Sequence, residues 1–501
     1  MLPLWFCHWR LNLVMISLTS LHSLKVLFQR KSVMKSFCSG CHLLLLLFLL
    51  SLTGPVSFSS KVFSGEKQGA SSQRKILWVQ QAGGKKHDKI RGMTVDQEGN
   101  CYVTGEFTET AQFGDQTVTS QGNMDFVLAK YDPAGKLLWV QTAGGKDIDR
   151  GYGVAVDQAG NSYVTGHFQS PTFQIGGKTL KNQGDYDYFI AKYDPAGKLL
   201  WAESAGGTGY DYGHGIAVTP EGDCYVAGSF AGDVTFGTSQ TGNKKGRSLF
   251  VARYDADGML IWSQMAGNGR SQSGHQIAVD TSGNCYVCGY VTGLLELDGQ
   301  QVGTDTPVQD IFLAKLSPAG KLIWSANSGG QANGLSTGVA VDKQGNCYLT
   351  GMYKNKATFG KTTMNSKGGH DIFVARINAD GSPAWAYTGG GEKTDYGLGI
   401  AADQAGNCYI TGEFSDDVHF LGKQHPNLGG RDLFIARFAP DGKPDWLEIL
   451  GGDKSDLSYA IAVDKNQNCF VSGAFSPATQ YQGHTLKSHG SNDIFLIKMS
   501  Q

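Results

Sequence analysis

Histidine, tyrosine and arginine side chains recur at one position of a strand pattern that appears seven times in this sequence. This position lies two residues before the first apolar residue of the strand and holds Arg91, Tyr152, His214, His275, Thr337, Leu398 and Tyr459. Arg150, Tyr210, Tyr212 and Tyr396 lie nearby. Aromatic, imidazole and guanidinium groups around one opening can stack on a sugar or bind a peptide. We predict a ligand site of Arg91, Tyr152, Tyr212, His214, His275, Tyr396 and Tyr459; the alternative is ordinary loop decoration.

The elements that carry these residues repeat every 61 or 62 residues. The period is marked by Trp78, Trp139, Trp201, Trp262, Trp324, Trp385 and Trp446. Each unit has a Trp segment, a short apolar segment ending in Asp, a Cys-Tyr-Val-Thr-Gly segment and an alternating segment such as residues 371–376. Alternation and β-branched or aromatic content predict that all four are strands.

The repeat predicts an all-β fold, a seven-bladed β-propeller of four-stranded antiparallel blades. The apolar strand is placed innermost and the Trp strand outermost. The chain enters the array with a Trp strand at residues 76–81 and ends with a third strand at 493–499. We therefore expect the N-terminal strand to complete the last blade. The variable connections and the Gly-Gly loops then share one face, where binding usually resides.

The chain divides at residue 75. Residues 1–75 form an N-terminal extension, a signal peptide that begins at Met34, and a short linker, whereas 76–501 form the propeller. This predicts a secreted, periplasmic or cell-surface protein that meets a membrane only through the signal peptide or an N-terminal anchor. A two-segment anchor that also uses residues 11–28 is the alternative. Of 43 basic and 44 acidic residues, nine and one lie in 1–75, so the propeller is acidic. This balance argues against nucleic acid as a partner.

The combined motifs are similar to a known repeat. Residues 76–501 resemble the bacterial seven-bladed propeller repeat SBBP. The motifs that carry the resemblance are Trp, Gly-Gly, x-Ala-Val-Asp-x-x-Gly-Asn, Tyr-Val-x-Gly and Asp-x-Phe-x-Ala-Lys-Tyr-Asp. The resemblance implies a secreted or surface-exposed bacterial propeller. It brings no catalytic residues, and the regular Cys and the long connection between second and third strands depart from the family pattern.

Three other repeated residue types have structural interpretations. Neighbouring equivalents of Cys101 would lie about 9 Å apart, beyond the reach of a disulfide or a shared metal, so we expect buried thiols. The tryptophans are expected to pack against the next blade as core. Each third strand carries one cation, which is expected to extend over apolar surface. These are Lys130, Lys192, Arg253, Lys315, Arg376, Arg437 and Lys498.

Aspartates precede most first and third strands. Calcium held by these carboxylates is one interpretation; carboxylates that accept backbone N–H groups and so fix the loops are the other, which we favour. We therefore predict no cofactor, with calcium as the alternative. The acidic positions are Asp88, Asp149, Asp211, Asp395 and Asp456 in the loops, and Asp125, Asp187, Asp310, Asp371, Asp432 and Asp493 before the third strands.

The sequence favours a non-catalytic binding or scaffold module with a carbohydrate or protein ligand. It contains no zinc-ligand helix motif, nucleophile elbow or phosphate loop. The alternative is a glycan-processing hydrolase or lyase that works around His214 and His275 at the funnel of the propeller. Such an enzyme needs converging carboxylates or a His paired with a Tyr.

Overall fold

The computed structural model describes residues 74–236, 239–267 and 270–501, with backbone alone for 239–245. The regular elements in these ranges are β-strands, which confirms the all-β prediction. Within the same ranges, no helix has the length and apolar character needed to cross a membrane. The predicted extension and signal peptide fall on residues 1–73, outside the described residues.

Four strand types recur, numbered β1 to β40 along the chain. The Trp strands are β1 (Ile76–Gly84), β7 (Leu137–Ala143), β13 (Leu199–Gly207), β17 (Leu260–Ala266), β23 (Leu322–Asn327), β29 (Pro383–Gly389) and β35 (Pro444–Leu450). The first strands, which follow the Gly-Gly loops or their equivalents, are β2 (Lys89–Val95), β8 (Asp149–Val156), β14 (Tyr212–Val218), β18 (Ser273–Val279), β24 (Leu335–Val341), β30 (Tyr396–Ala402) and β36 (Asp456–Val463).

The second and third strands follow the first strand in each unit. The second strands are β3 (Cys101–Phe107), β9 (Ser162–Phe168), β15 (Cys224–Phe236), β19 (Cys285–Thr292), β25 (Cys347–Tyr353), β31 (Cys408–Phe414) and β37 (Cys469–Phe475). The third strands are β6 (Asp125–Tyr131), β12 (Asp187–Tyr193), β16 (Ser239–Tyr254), β22 (Gln309–Leu316), β28 (Asp371–Ile377), β34 (Asp432–Phe438) and β40 (Asp493–Met499).

Each connection between second and third strands adds a short hairpin, or in one unit a longer strand pair. The side hairpins are β4–β5 (Thr110–Phe113, Gln116–Thr119), β10–β11 (Thr172–Ile175, Lys178–Lys181), β20–β21 (Leu295–Leu297, Gln300–Val302), β26–β27 (Lys356–Phe359, Thr362–Asn365), β32–β33 (Val418–Phe420, Lys423–His425) and β38–β39 (Ala478–Tyr481, His484–Lys487). In the remaining unit β15 and β16 themselves continue as a pair as far as Phe236, which lies opposite Ser239.

Pairing within a unit is antiparallel and runs from first to second to third to Trp strand, as the sequence predicts. The order β2-β3-β6-β7 is one example. The third strand β40 pairs with the Trp strand β1 from the start of the array, where Trp78 lies opposite Lys498 and Val79 opposite Ile497. The tight turns use glycine with a positive φ, 86° at Gly99 and 87° at Gly135.

The hydrophobic core lies between consecutive units. All seven residues of β3 and of β6 are buried, because both faces of the sheet are covered. Tyr102 and Phe126 of one unit share a cluster with Val154 and Phe189 of the next. Another cluster joins Phe470 and Leu496 at the end of the array to residues of β2 and β3. The sheets therefore stabilise one another by mutual burial of apolar side chains.

The repeated tryptophans join neighbouring units at the turn before each Trp strand. Trp78 Nε1 donates a hydrogen bond to the carbonyl oxygen of Pro133 at 3.1 Å, and its ring lies on Gly135. Trp139 makes the same bond to Pro195. The indoles do pack on the next unit, but only Trp446 is buried and the other six are half-buried. The expectation that the tryptophans pack against the next unit is therefore confirmed, and the half-buried rings lie at the edges of core clusters, over surface turns.

The third-strand cations also bind the following unit. Lys130 Nζ lies 4.8 Å from the centroid of the Tyr102 ring and 3.5 Å from the carbonyl oxygen of Pro195. Lys192 donates to the carbonyl of Ala256 at 3.0 Å. These residues are structural, as predicted, but the ammonium groups are buried between units and do not extend to solvent.

Candidate functional site

A β-bulge interrupts every first strand at the position identified from the sequence. In β2 the pairing passes from Ile90 opposite Gly105 to Gly92 opposite Thr104, so that Arg91 is the extra residue. A bulge re-aims a side chain, and bulges are frequent beside functional sites. The seven bulged residues are Arg91, Tyr152, His214, His275, Thr337, Leu398 and Tyr459.

The glycine of the Tyr-Val-x-Gly motif makes room for the bulge. A Cβ atom placed on Gly105 would lie 1.9 Å from the carbonyl oxygen of Lys89. Gly166 has the same relation to Arg150 in the next unit. This motif therefore has a steric cause: a side chain there would push the first strand away and displace the bulged residue.

The bulged residues face a single cavity of about 390 Å³, which we call the bulge pocket. All seven line it, so that one strand from each unit contributes. Two residues further along six of these strands comes an apolar ring: Met93, Val154, Ile216, Val339, Ile400 and Ile461. The pocket thus has variable side chains and an aliphatic lining, a combination typical of ligand sites.

Aromatic and imidazole rings form a continuous arc along one side of the pocket. The ring centroids of Tyr152 and His214 lie 5.3 Å apart at right angles. His214 contacts His275 at 5.4 Å and is stacked on Tyr212 at 5.5 Å. His275 contacts Tyr290 at 5.5 Å. These contacts fix the planes of the rings relative to one another, so the arc has a defined surface.

The histidines of the arc are uncharged near neutral pH. Burial, reinforced by the neighbouring His275, holds the pKa of His214 well below its usual value. Burial, with a contribution from Arg247, lowers the pKa of His275 to about 4. His214 Nε2 is buried and has no hydrogen-bond partner among the described residues. A neutral imidazole has one donor and one acceptor nitrogen, and the backbone of Ser336 already engages His275.

A cationic corner, defined by Lys89, Arg91 and Arg150, lies on the other side, where Lys89 and Arg91 line the pocket and Arg150 lies outside its lining. Arg91 forms two hydrogen bonds of 2.7 Å to the buried carboxylate of Glu106. Arg150 Nε lies 3.9 Å from the same carboxylate. Lys89 Nζ lies 3.9 Å from the centroid of the Tyr459 ring. Burial, followed by repulsion from Arg91, lowers the pKa of Lys89 to about 8.

Two of the predicted site residues lie outside the lining of the pocket. Tyr212 is two residues before His214 and stacks behind its ring. Tyr396 has the same place beside Leu398, where its ring lies 5.3 Å from the guanidinium carbon of Arg431. The structure brings Arg91, Tyr152, His214, His275 and Tyr459 together in the lining of the pocket.

Several residues of the site were not predicted from the sequence. They lie opposite the first strands, at the variable position that directly follows the motif glycine of each second strand. These residues are Glu106, His167, Ser229, Tyr290, Met352, Glu413 and Ala474. The signal was available, because this position varies inside an otherwise regular motif. His167 is buried against Tyr212 at 4.8 Å, and neither ring nitrogen has a hydrogen-bond partner among the described residues.

The repeated cysteines and aspartates have structural environments. The thiols of the described chain are free and buried, and burial raises the pKa of Cys101. Asp88 accepts hydrogen bonds from the backbone N–H groups of Gly84 at 2.7 Å and Thr108 at 3.0 Å. Burial nevertheless raises the pKa of Asp88 to about 6. The described residues contain no group of three or more His, Cys, Asp or Glu able to hold a metal.

Known structures share low sequence identity with this chain. A gluconolactonase of Xanthomonas campestris is 12% identical, with a TM-score of 0.33, and the match covers 83% of this chain and 97% of that one. The aldose sugar dehydrogenase of Streptomyces coelicolor, in its PQQ-bound form, is 12% identical, with a TM-score of 0.32, and the match covers 70% of this chain and 94% of that one.

Two curated proteins have similar sequences. The uncharacterized WD repeat-containing protein L264 of Acanthamoeba polyphaga mimivirus is 22% identical over 82% of this chain and 37% of its own length. The regulatory protein FlaEY of Caulobacter vibrioides is 24% identical over 75% of this chain and 42% of its own length. The match thus spans about two fifths of the length of each relative.

The model of the SBBP β-propeller repeat matches the chain at three places, residues 77–106, 138–167 and 385–413. Each match begins in or next to a Trp strand and ends in a second strand, at Glu106, His167 and Glu413. The repeat read from the sequence and the repeat seen in the strand pairing are therefore the same unit. This chain contains β-propeller repeats of the SBBP family.

Proposed function

We propose that residues 76–501 form a closed seven-bladed propeller that binds a carbohydrate or protein ligand at the bulge pocket without chemical conversion. Pairing of β1 with β40 supports the closure, since it gives the last blade its Trp strand. The apolar cluster shared by β37, β40, β2 and β3 supports contact between last and first blades. Closure by pairing also removes an exposed edge strand.

The observation that carries the proposed function is the ring of seven bulges. A bulge costs ladder hydrogen bonds, yet every first strand has one, and the seven bulged side chains, of five different types, line the same cavity. Scaffold positions of the repeat stay alike from unit to unit, whereas Arg91, Tyr152, His214 and Leu398 differ. Variation confined to a shared concave surface is typical of ligand recognition.

The arrangement of charge favours binding over hydrolysis. A glycosidase needs two carboxyl groups facing the scissile bond. The carboxylate nearest the cationic corner, Glu106, is almost fully buried and is held by Arg91. The described lining of the pocket contains no Asp or Glu. We propose that the module works at the cell envelope, in keeping with the signal-peptide pattern of residues 34–60.

A glycan array and affinity capture from an envelope extract test this function, each with wild type and the Tyr152→Ala variant. We expect a ligand that wild type retains, that Tyr152→Ala loses, and that Lys136→Gln binds unchanged. Lys136 is exposed in a turn outside the pocket, so its variant is the surface control. No retained ligand in either assay, or equal retention by Tyr152→Ala, would contradict a binding site here.

Mass spectrometry of the retained ligand separates a binding module from an enzyme. We expect the ligand to be recovered intact after prolonged incubation. A cleaved product that wild type forms and that the His214→Ala/His275→Ala variant does not form would establish the glycan-processing enzyme instead.

A further inference from the structure

The cationic corner of the bulge pocket carries more positive charge than its own residues neutralise. Glu106 is the one carboxylate within 4 Å of Arg91 or Arg150 in the described chain. Lys89 has no carboxylate at salt-bridge distance there, and its ammonium lies on the ring of Tyr459. Three cations therefore share one anion in a partly buried site, where uncompensated charge is costly.

The second carboxylate in this region belongs to a different pair. Glu413 is buried and accepts a hydrogen bond of 2.7 Å from Arg431. It acts on Lys89 only as a distant charge. An anion supplied by a ligand would complete the charge balance of Lys89, Arg91 and Arg150, and such charge-assisted contacts are strong.

The opposite side of the pocket fits a sugar ring. Tyr152 and His214 line this side next to the aliphatic ring that contains Val154 and Ile216, and the guanidinium carbon of Arg91 lies 4.8 Å from the centroid of the Tyr152 ring. The faces of a sugar ring are apolar and pack on aliphatic and aromatic side chains, so this lining matches a sugar ring.

We propose that the bulge pocket binds a uronic acid residue of an acidic glycan, with the carboxylate at Lys89 and Arg91, the positive charge of Arg150 nearby, and the ring against Tyr152 and His214. This rests on the proposed function and specifies its ligand class. A side-chain carboxylate of a peptide would also satisfy the cations, so a glutamate peptide is the competing probe. The glycan uses both sides of the pocket.

Calorimetric titration of the full protein tests the assignment. The probes are a galacturonate trimer, a mannuronate trimer and a hyaluronan tetrasaccharide, each as the free acid and as the uncharged methyl ester, and a glutamate hexapeptide. We expect at least one free acid to bind at least tenfold more tightly than its ester. Lys89→Gln and Arg150→Gln should each weaken that binding at least fivefold, with unchanged melting temperature, whereas Lys136→Gln should match wild type.

The outcomes separate this inference from the proposed function. Equal affinity for acid and ester, failure of all three free acids, or tighter binding of the glutamate peptide would overturn the uronate assignment. Binding of neutral glycans or proteins that Tyr152→Ala still abolishes would leave the binding function intact. Wild-type affinity in both Lys89→Gln and Arg150→Gln would equally overturn the carboxylate site.

Discussion

Arg91 and Glu106 form a two-point ion pair across a β-bulge, with Nε to Oε2 and Nη2 to Oε1 both 2.7 Å. Glu106 is 1% exposed and Arg91 is the bulged residue of its strand. The parallel contacts fix the plane of the guanidinium group, as a bidentate pair does. Because the bulge leaves Arg91 outside the ladder, Glu106 supplies the constraint that holds its side chain at the pocket.

A double-mutant cycle should detect this coupling. Arg91→Ala leaves a buried carboxylate with Arg150 as its nearest cation, and we expect a loss of about 3 kcal/mol in the free energy of unfolding. Glu106→Ala should cost about 2 kcal/mol, since Arg91 is partly solvated. The double variant should be more stable than the sum predicts by about 1–3 kcal/mol, measured by urea denaturation. Additive losses would show that the pair is not coupled.

Because Gly135 contacts the ring of Trp78, its substitution should lower the free energy of unfolding. A Cβ on Gly135 would lie 2.8 Å from the Trp78 ring, whereas a Cβ on Gly177 would meet nothing within 4 Å. The two glycines have nearly equal φ angles, 87° and 85°. Gly177→Ala should therefore report backbone strain alone, about 1 kcal/mol, and Gly135→Ala about 1–3 kcal/mol more. Equal losses in thermal unfolding would contradict the interlock.

Removal of residues 76–81 should expose the edge of β40. These residues pair with β40 from Met499 to Phe495, and an uncovered strand of this kind recruits other chains. We expect aggregation, measured by size-exclusion chromatography, or a large fall in melting temperature, measured by calorimetry. A synthetic peptide of residues 74–84 should restore the monomer when added during refolding. A truncated protein that stays monomeric with the wild-type melting profile would disprove the role of this strand.

The sequence predicted the strand types, their order and five of the pocket residues because these depend on local pattern. Trp78 and its equivalents mark the period, and Tyr152 or His214 stand out against a constant background. The bulges were not predicted, since an extra residue is visible only when the partner strand fixes the register. Glu106 and His167 were missed because they lie inside a second-strand motif whose regularity indicated packing. The half-burial of Trp78 depends on a turn 55 residues away.

Burial of Asp211 should make stability depend on pH. Burial raises the pKa of this carboxyl to about 7, although the backbone N–H of Gly207 donates to it at 2.8 Å. A raised folded-state pKa contributes stability that is present below pH 4 and is lost as the pH rises through 7. Relative to Asp211→Asn, wild type should lose about 4 kcal/mol between pH 4 and pH 8. Urea denaturation of both proteins across this range measures the difference; a constant difference would contradict a raised pKa.

His167 should be replaceable by phenylalanine with a gain in stability. The imidazole is 1% exposed, and neither nitrogen has a hydrogen-bond partner in the described chain. Its ring contacts Tyr152, Tyr186 and Tyr212 at centroid distances of 4.8 to 5.3 Å, all of which a phenyl ring can keep. Removal of unsatisfied buried nitrogens should add about 1 kcal/mol to the free energy of unfolding. His167→Leu removes the same nitrogens but does not keep the ring contacts, so its gain in the free energy of unfolding should be smaller. Calorimetric unfolding of wild type and both variants measures the difference. A less stable His167→Phe protein would mean that the imidazole is satisfied by solvent or by another partner.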